Sequence, residues 1–364
     1  MASIYSPIAN EFHENVAGLG YASSLFFLGV LSSEIPGGVL ASRYGAKKVV
    51  LIAVLLTSIS VTLSAFSMSF NVILVSRLLA GIGVGASFPP FVGLTIQTMR
   101  KGASGVGIGL ISLSFNLGGV GGLLGWAVIA SAYGWRLSLF VSGGLGILCV
   151  PLLFKYVHEK AGTGPSNAIG VEGLRKILSN RKINIITLAL IGLSASATLV
   201  WSFMVYFLEG SLNVAPGLAG LISGLGLLFS ITAPFVGRAY EKTKETRGWL
   251  ILAAIIVTVG VAFASLDTIL SSIISVVLVG IGASMGYTVA LTAASDITGP
   301  SIEYQSIAVG WMDSSSIVGG FISPIIFSLL VLSKGYEFSW MIGSFFSLFL
   351  AIPMLLFWKG MKKQ

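Results

Sequence analysis

Three charged residues stand inside long apolar stretches of the sequence, namely Glu34, Arg77 and Asp313. An ionised side chain at the centre of a bilayer costs about 2.5–3.5 kcal/mol on the milder insertion scale, so each of these residues needs a partner or a function. A carboxyl group in such a place can bind and release a proton, and a guanidinium group can bind an anion. The three residues are therefore candidates for proton coupling, substrate binding or a conformational contact.

Each of the three has a second, structural interpretation. Arg77 either supports the fold or contacts an anion or a proton-coupling group directly. Glu34 is either a proton-coupling site or a side chain that reaches the membrane interface, and its shallow position favours the interface. Asp313 either forms a gating ion pair or stays protonated and hydrogen-bonded to a neighbour such as Ser316. The choice depends on the helices that position these groups.

The composition identifies a membrane protein. Hydrophobic residues make up 55% of the 364 residues and charged residues only 9%, whereas a soluble domain carries roughly 25% charged residues. About eleven apolar stretches are close to the length that crosses a bilayer as a helix. They cover 16–40, 46–66, 70–98, 104–131, 134–156, 183–208, 216–240, 248–266, 268–293, 305–332 and 336–358. No stretch alternates as a β-barrel strand would, so we predict an all-α polytopic membrane protein with about 11 transmembrane helices.

The basic residues give the expected orientation. The formal net charge is +8, which in a soluble chain would suggest nucleic-acid binding. Alternate threading of the spans places nearly all of the lysines and arginines on one face; only Arg136 and Lys334 fall on the other, and Arg77 lies within a span. By the positive-inside rule that face is cytoplasmic. We therefore expect a multi-pass protein of the cell membrane, with its C-terminus and central linker in the cytoplasm, and no nucleic-acid partner.

The two halves of the chain repeat each other at an offset of about 200 residues. Leu79-Ala-Gly-Ile-Gly83 matches Leu278-Val-Gly-Ile-Gly282, and Pro36 matches Pro234. These matches indicate an N-terminal bundle at 1–156, a cytoplasmic linker at 157–182 and a C-terminal six-helix bundle at 183–364. At the same offset, the partner of the first helix of the second half would begin before residue 1. The chain is therefore interpreted as five plus six helices, without most of the first helix of a six-plus-six bundle.

A basic hairpin separates the first two predicted spans. It resembles the motif Gly-x-Leu-Ala-Asp-Arg-x-Gly-Arg-Lys, and the matching residues are Gly38, Leu40, Ala41, Arg43, Gly45, Lys47 and Lys48. The acidic position of the motif holds Ser42. Three further segments resemble motifs of the same family: Arg77-Leu-Leu-Ala-Gly81-Ile-Gly83, Asn116-Leu-Gly-Gly-Val-Gly-Gly122 with Gly125, and Gly134-Trp135-Arg136. Over the whole chain, the sequence resembles the major facilitator superfamily.

This resemblance implies a two-bundle fold and secondary active transport of a small solute by alternating access, by a monomer in the lipid bilayer. Proton coupling is compatible with it. In the family, the arginine of helix four contacts the first helix, and the acid of the hairpin helps to latch the hairpin to the second half. Because Ser42 replaces that acid, we hypothesise that Asp313 pairs with Arg43 when the inner gate is shut.

Five polar or aromatic residues are candidates for a substrate cavity. They are Asn116 on helix five, Ser194 and Trp201 on helix seven, and Tyr287 and Thr288 on helix ten. The second half carries no basic residue deep in a span, which argues against polyanionic substrates. A small monovalent organic anion near Arg77, or a neutral or amphipathic compound, fits better.

Several functions are disfavoured by what the sequence lacks. It contains no GxxxxGK[ST] nucleotide loop, no metal-ligand spacing and no nucleophile–base arrangement, so we expect neither an enzyme nor a cofactor or metal. Cys149 is the single cysteine, which excludes an internal disulfide, and we expect it to be buried. The alternative function is a non-transporting membrane sensor or a truncated transporter remnant, which the short first helix would favour.

Overall fold

The computed structural model describes residues 2–98, 104–157, 171–298 and 302–358. Within these ranges every regular element is helical. The α-helices are α1 (Tyr5–Phe12), α2 (Val16–Tyr44), α3 (Ala46–Ala65), α4 (Phe70–Thr98), α5 (Ser104–Tyr133), α6 (Trp135–Tyr156), α7 (Val171–Leu178), α8 (Arg181–Gly210), α9 (Pro216–Phe229), α10 (Ala233–Thr243), α11 (Thr246–Phe263), α12 (Ile269–Thr298) and α13 (Ile302–Phe357). Short 3₁₀ turns cover Ala2–Ile4, Ser230–Thr232 and Ala264–Leu266.

Ten spans in the described residues are long and apolar enough to cross a membrane. The last of them, Ile307–Phe357, has 51 residues, or about 76 Å at the rise of an α-helix, more than twice the hydrocarbon thickness of a bilayer. Gly335 interrupts this helix with a φ of 81°. The parts before and after Gly335 correspond to the predicted spans 305–332 and 336–358. Counting α13 as two crossings gives the predicted number of about eleven.

One predicted span is not a single straight helix. The stretch 216–240 forms α9 and α10, which are separated by the 3₁₀ turn Ser230–Thr232. Pro234 is the second residue after this turn, and proline has no N–H with which to bond the carbonyl of Ser230 four residues earlier. The missing hydrogen bond explains the local change of helix type and makes this span a kinked one.

The described helices form two compact units, α1–α6 and α7–α13. In the first unit, Ile4 and Ile8 pack with Ile73, Trp135 and Leu139 in one buried cluster. The short α1 therefore belongs to the core of its unit. The domain limits at 156 and 183 stay predictions, since residues 158–170 lie outside the described part of the chain.

The second unit has an aromatic core. Phe327 contacts the rings of Phe203 and Trp340, with centroid distances of 5.0 and 4.5 Å, and Phe207 contacts Trp340 at 5.8 Å. All four rings are almost completely buried. They join α8 to both parts of α13, so the segments before and after Gly335 are held by the same helix.

Equivalent glycines bring helices together in the two units. A Cβ atom on Gly81 would overlap the backbone carbonyl of Phe26, and one on Gly280 would overlap the carbonyl of Gly226. Gly81 and Gly280 occupy the same place in the sequence repeat. The contact of α4 with α2 at Gly81 thus has a counterpart in that of α12 with α9 at Gly280, as expected for a duplicated bundle.

The expectation that Cys149 is buried was wrong. Cys149 is exposed on α6, on a helix where Leu148 and Leu152 are also exposed. Apolar side chains on the outside of a membrane helix contact lipid, so hydrophobicity in this chain does not predict burial inside the protein.

Candidate functional site

Arg77 lies on α4 in the interior of the first unit. Its guanidinium carbon is 4.4 Å from the ring centroid of Phe26 on α2. Its Nε atom is buried and has no hydrogen-bond partner, and among the described residues Arg77 forms no ion pair. The attraction between the cation and the ring is the contact that the structure gives this charge.

A small cavity of about 90 Å³ adjoins Arg77. Its lining includes Ile4 from the N-terminal 3₁₀ turn, Ser64 and Ser76, and the indole of Trp126. Ser64 and Ser76 donate their hydroxyl protons to carbonyls of their own helices, at 3.0 and 2.8 Å. Arg77 is therefore the charged group of a partly polar cavity, in which Ser64 and Ser76 already bond the main chain. Ile4 of the N-terminal segment and Arg77 line the same space; a contact of Arg77 with the first helix stays a prediction.

Asp313 and Tyr287 are brought together in the second unit. The hydroxyl of Tyr287 on α12 donates a 2.7 Å hydrogen bond to Oδ1 of Asp313 on α13. The sequence identifies Tyr287 as a cavity candidate and Asp313 as a gating residue. It does not predict that the two side chains are in contact. The hydroxyl of Ser316, which we expected near the carboxyl group, donates instead to the backbone carbonyl of Asp313 at 2.7 Å.

Glu34 lies within α2, and its side chain is buried, with 5% of its surface exposed. The neighbouring Ser33 donates to the carbonyl of Gly29 at 2.7 Å. A side chain reaching out to the interface would be exposed, so the structure does not support that interpretation of Glu34. Its part in proton coupling stays a prediction.

The basic hairpin forms a sharp turn between α2 and α3. Gly45 has a φ of 96°, a conformation that favours glycine. Lys47 donates a 2.8 Å hydrogen bond to the carbonyl of Phe154 on α6 and lies 4.9 Å from that ring centroid. Arg43 is exposed and lies 5.4 Å from the ring centroid of its neighbour Tyr44. Gly38, Leu40 and Lys48 complete the predicted motif; Leu40 and Lys48 are exposed and Gly38 is half-buried. Pairing of Arg43 with Asp313 stays a prediction.

The lining described for the Arg77 cavity includes none of the other cavity candidates. Thr288 donates to the carbonyl of Ser284 on its own helix at 2.8 Å, the usual fate of a membrane hydroxyl. The indole of Trp201 packs over Gly226 on α9. Asn116 and Ser194 are half-buried on α5 and α8. Their contact with a substrate stays a prediction.

Sequence reasoning missed a polar network at the end of α10. Lys244 donates to both carboxylate oxygens of Asp296 on α12, at 2.8 and 2.9 Å. Tyr240 donates to Asp296 at 3.3 Å and shares a 2.9 Å hydrogen bond with Thr246. The hydrogen bond to Asp296 raises the pKa of the Lys244 amine above its ordinary value. The signal in the sequence was an acid just after the predicted span 268–293, close to the face where the basic residues gather.

A second missed network ties α1 to its unit. Glu11 accepts hydrogen bonds from Arg136 and from the indole of Trp135, and Arg136 also donates to the carbonyl of Ser67 at 2.9 Å. The hydrogen bond from Arg136 is the main cause that lowers the pKa of the Glu11 carboxyl; desolvation opposes it, and the Trp135 bond adds to it. The sequence placed Arg136 on the outer face but gave it no partner.

The chain matches the family model described as Major Facilitator Superfamily, over residues 1–266 and 186–363. It is 30% identical over 179 residues to the 4-hydroxybenzoate transporter PcaK of Pseudomonas putida, across 49% of this chain and 40% of that protein. The quinolone resistance protein NorA of Staphylococcus aureus strain COL is 27% identical over 322 residues, across 85% of this chain and 79% of that one. The chain thus matches about two fifths of the length of the first of these relatives.

A solved structure gives the same fold. It is the bacterial homologue of the human lysosomal transporter Spinster in an inward-facing and occupied conformation, with a TM-score of 0.80 and 16% sequence identity. The alignment covers 98% of this chain and 91% of that one. At this identity the likeness shows the fold alone. The family match over the chain shows that this protein, with its ten apolar spans among the described residues, is a multi-pass membrane protein of the major facilitator superfamily.

Proposed function

We propose that the protein is a secondary transporter that moves a small monovalent organic anion across the membrane by alternating access, driven by a proton gradient. The single observation that carries this proposal is the guanidinium of Arg77, whose Nε atom is buried without a hydrogen-bond partner. It lines a cavity and has no carboxylate partner among the described residues. A buried cation without a counter-charge is unfavourable, and an anionic ligand removes that penalty when it binds.

The geometry supports one charge rather than several. Arg77 is the charged residue of its cavity, and Ser64 and Ser76 contribute hydroxyl groups to the same lining. A planar guanidinium can donate two parallel hydrogen bonds to one carboxylate. A cavity of about 90 Å³ has room for such a head group. We infer that the carboxylate of the substrate enters this cavity, and that a polyanion would find too few cations there.

The relatives support a transporter and differ in what their names say of the substrate. One is named for 4-hydroxybenzoate, an aromatic monocarboxylate, and another for quinolone resistance. Arg77 forms no ion pair with a carboxylate among the described residues, and this favours the carboxylate over a neutral compound. The proposal includes no enzymatic step, since transport requires none.

The test is uptake by purified protein in proteoliposomes, with and without an imposed proton gradient. Benzoate and 4-hydroxybenzoate are compared with benzamide, which has nearly the same shape and no charge. We expect gradient-stimulated uptake of the carboxylates and little uptake of the amide. Equal uptake of benzamide, or binding of a carboxylate without any uptake, would overturn the proposal; binding alone would favour a sensor.

Arg77→Gln and Arg77→Lys form a matched pair for the same assay. Gln removes the charge, whereas Lys keeps it but lacks the planar fork. We expect Arg77→Gln to reduce carboxylate uptake by at least about tenfold, the loss of a charged hydrogen bond, and Arg77→Lys to fall between that variant and the wild type. Unchanged uptake in Arg77→Gln contradicts the role of this residue.

A further inference from the structure

The hydrogen bond between Tyr287 and Asp313 places a carboxyl group inside the membrane-spanning part of the second unit. Tyr287 lies about 17 Å along α12 from its end at Thr298, and Asp313 lies about 17 Å along α13 from its start at Ile302, at 1.5 Å per residue. Both helices continue well beyond the pair in the other direction. The pair is therefore within the hydrocarbon thickness of about 30 Å and not at the interface.

The pair is also accessible. Tyr287 has 38% of its surface exposed, and Asp313 is half-buried. Lipid chains cannot solvate a carboxyl group or a phenol, so a polar pair that is accessible at this depth faces water or polar protein groups. Access to water is what a site needs if it is to exchange protons.

A carboxyl–phenol pair can satisfy both protonation states of the acid. When Asp313 is ionised, Tyr287 donates to it, as in the structure. When Asp313 is protonated, its hydroxyl group can donate and the phenol oxygen can accept. The hydrogen bond between the two side chains can therefore persist in both states, whereas protonation removes the cost of a carboxylate in the membrane.

Other charged groups on the neighbouring helices lie near the ends of those helices. The helices packed against α13 are α7, α8, α11 and α12. Their titratable or charged residues with described side chains are Arg175 and Lys176 on α7, Arg181, Lys182, Tyr206 and Glu209 on α8, Arg247 on α11, and Tyr287 and Asp296 on α12. Of these residues, Tyr287 alone lies in the middle part of its helix. It is therefore the group best placed to govern proton binding by Asp313.

From this geometry we propose that Asp313 is the proton-binding residue of the transporter, and that Tyr287 positions it. The proposal rests on the proposed function. The carboxylate takes a proton from water on the side where protons are more abundant, and one O–H bond forms. When the site opens to the opposite side, that bond breaks, the proton passes to water, and the carboxylate again accepts from Tyr287. One proton and one monoanion together carry no net charge.

The experiment compares two modes of transport in proteoliposomes. The first is exchange of labelled for unlabelled 4-hydroxybenzoate without a gradient, and the second is concentrative uptake driven by a pH difference, followed together with a pH dye inside the vesicles. Asp313→Asn should retain exchange within about threefold and lose proton-driven accumulation and substrate-linked proton flux by at least tenfold. Asp267→Asn is the matched control, because Asp267 is an exposed acid in a turn whose left-handed backbone asparagine tolerates.

Tyr287→Phe tests the positioning role without removing the acid. The ionised carboxylate loses a donor, so we expect the pH midpoint of driven uptake to move to higher pH while exchange continues. Substrate-linked proton flux at the wild-type level in Asp313→Asn overturns the proposal. So does loss of exchange and uptake alike in Asp313→Asn together with a wild-type pH profile in Tyr287→Phe, since the pair would then be structural. A wild-type protein with no uptake at all would instead refute the proposed function.

Discussion

Each of the two units has one ion pair between described side chains, but the two pairs lie at opposite ends of equivalent bundles. In the second unit, Lys244 binds Asp296 beside the turn between α10 and α11. In the first, Arg136 at the start of α6 binds Glu11 of α1, away from the equivalent hairpin between α2 and α3. The two units thus share equivalent helix contacts, but their ion pairs lie at different ends of the bundle.

The two hairpins differ accordingly. Lys244 forms two short hydrogen bonds to a carboxylate of its own unit. In the first hairpin Arg43 is exposed and stacks on the adjacent Tyr44. In the first hairpin, the acidic position of the motif holds Ser42, which carries no carboxylate. This agrees with the difference between the two hairpins. We infer that the second hairpin is fixed to its unit, whereas Arg43 is available for a contact that forms and breaks during transport.

The largest loss of stability is expected at the glycine-mediated helix contact that both units share. Gly81→Ala and Gly280→Ala each place a Cβ atom against a backbone carbonyl that cannot move without shifting a helix. We expect each variant to lose about 1–3 kcal/mol of stability, as is typical of overpacking. Thermal unfolding in mild detergent measures the loss.

Gly118→Ala is the control for that experiment, since nothing lies within 4 Å of the added atom. It should be neutral or slightly stabilising, because alanine favours a helix more than glycine does. If Gly81→Ala is as stable as the control while Gly280→Ala is destabilised, the two helix contacts are not equivalent. The two units would then not share this helix contact.

A smaller difference, in melting temperature and exchange rate, is expected between variants of the two hairpins. Lys244→Gln removes a charge that holds Asp296, so we expect a lower melting temperature and little change in exchange rate. Arg43→Gln removes a stacked, exposed cation, and we expect the reverse: an unchanged melting temperature and a changed exchange rate. Equal melting temperatures for both variants would contradict the distinction.

The hypothesis that Arg43 pairs with Asp313 gives a further test of the difference between the two hairpins. If the pair closes an inner gate, Arg43→Gln and Asp313→Asn should both increase the labelling of cysteines introduced on the hairpin side. Cys149 must first be replaced by serine, because it is exposed. Increased labelling in Asp313→Asn without an increase in Arg43→Gln would contradict the pairing.

The sequence predicted the helical class and nearly all spans, because the length and hydropathy of a membrane helix follow directly from the bilayer. The break at Gly335 also separated two predicted spans. Residue pairs were harder to predict. Tyr287 and Asp313 are 26 residues apart, and Lys244 and Asp296 are 52 apart. Such pairs depend on how each helix is rotated about its axis, and uniformly apolar helices carry little periodicity that would reveal the rotation.

The smallest change in stability is expected when the ion pair of the first unit is removed. The pKa of Glu11 is lowered from an ordinary value of 4.5, so its ion pair stabilises the fold above about pH 4.5 and loses this effect as the pH falls through the lower, folded value. Glu11→Gln should therefore melt slightly below the wild type at pH 7 and approach it as the pH falls through the lowered pKa of the folded state. The difference stays small because the pair is half-exposed and glutamine can still accept from Trp135. A difference that persists unchanged at low pH would mean that Glu11 acts through packing, and that the charge contrast between the units has no part in stability.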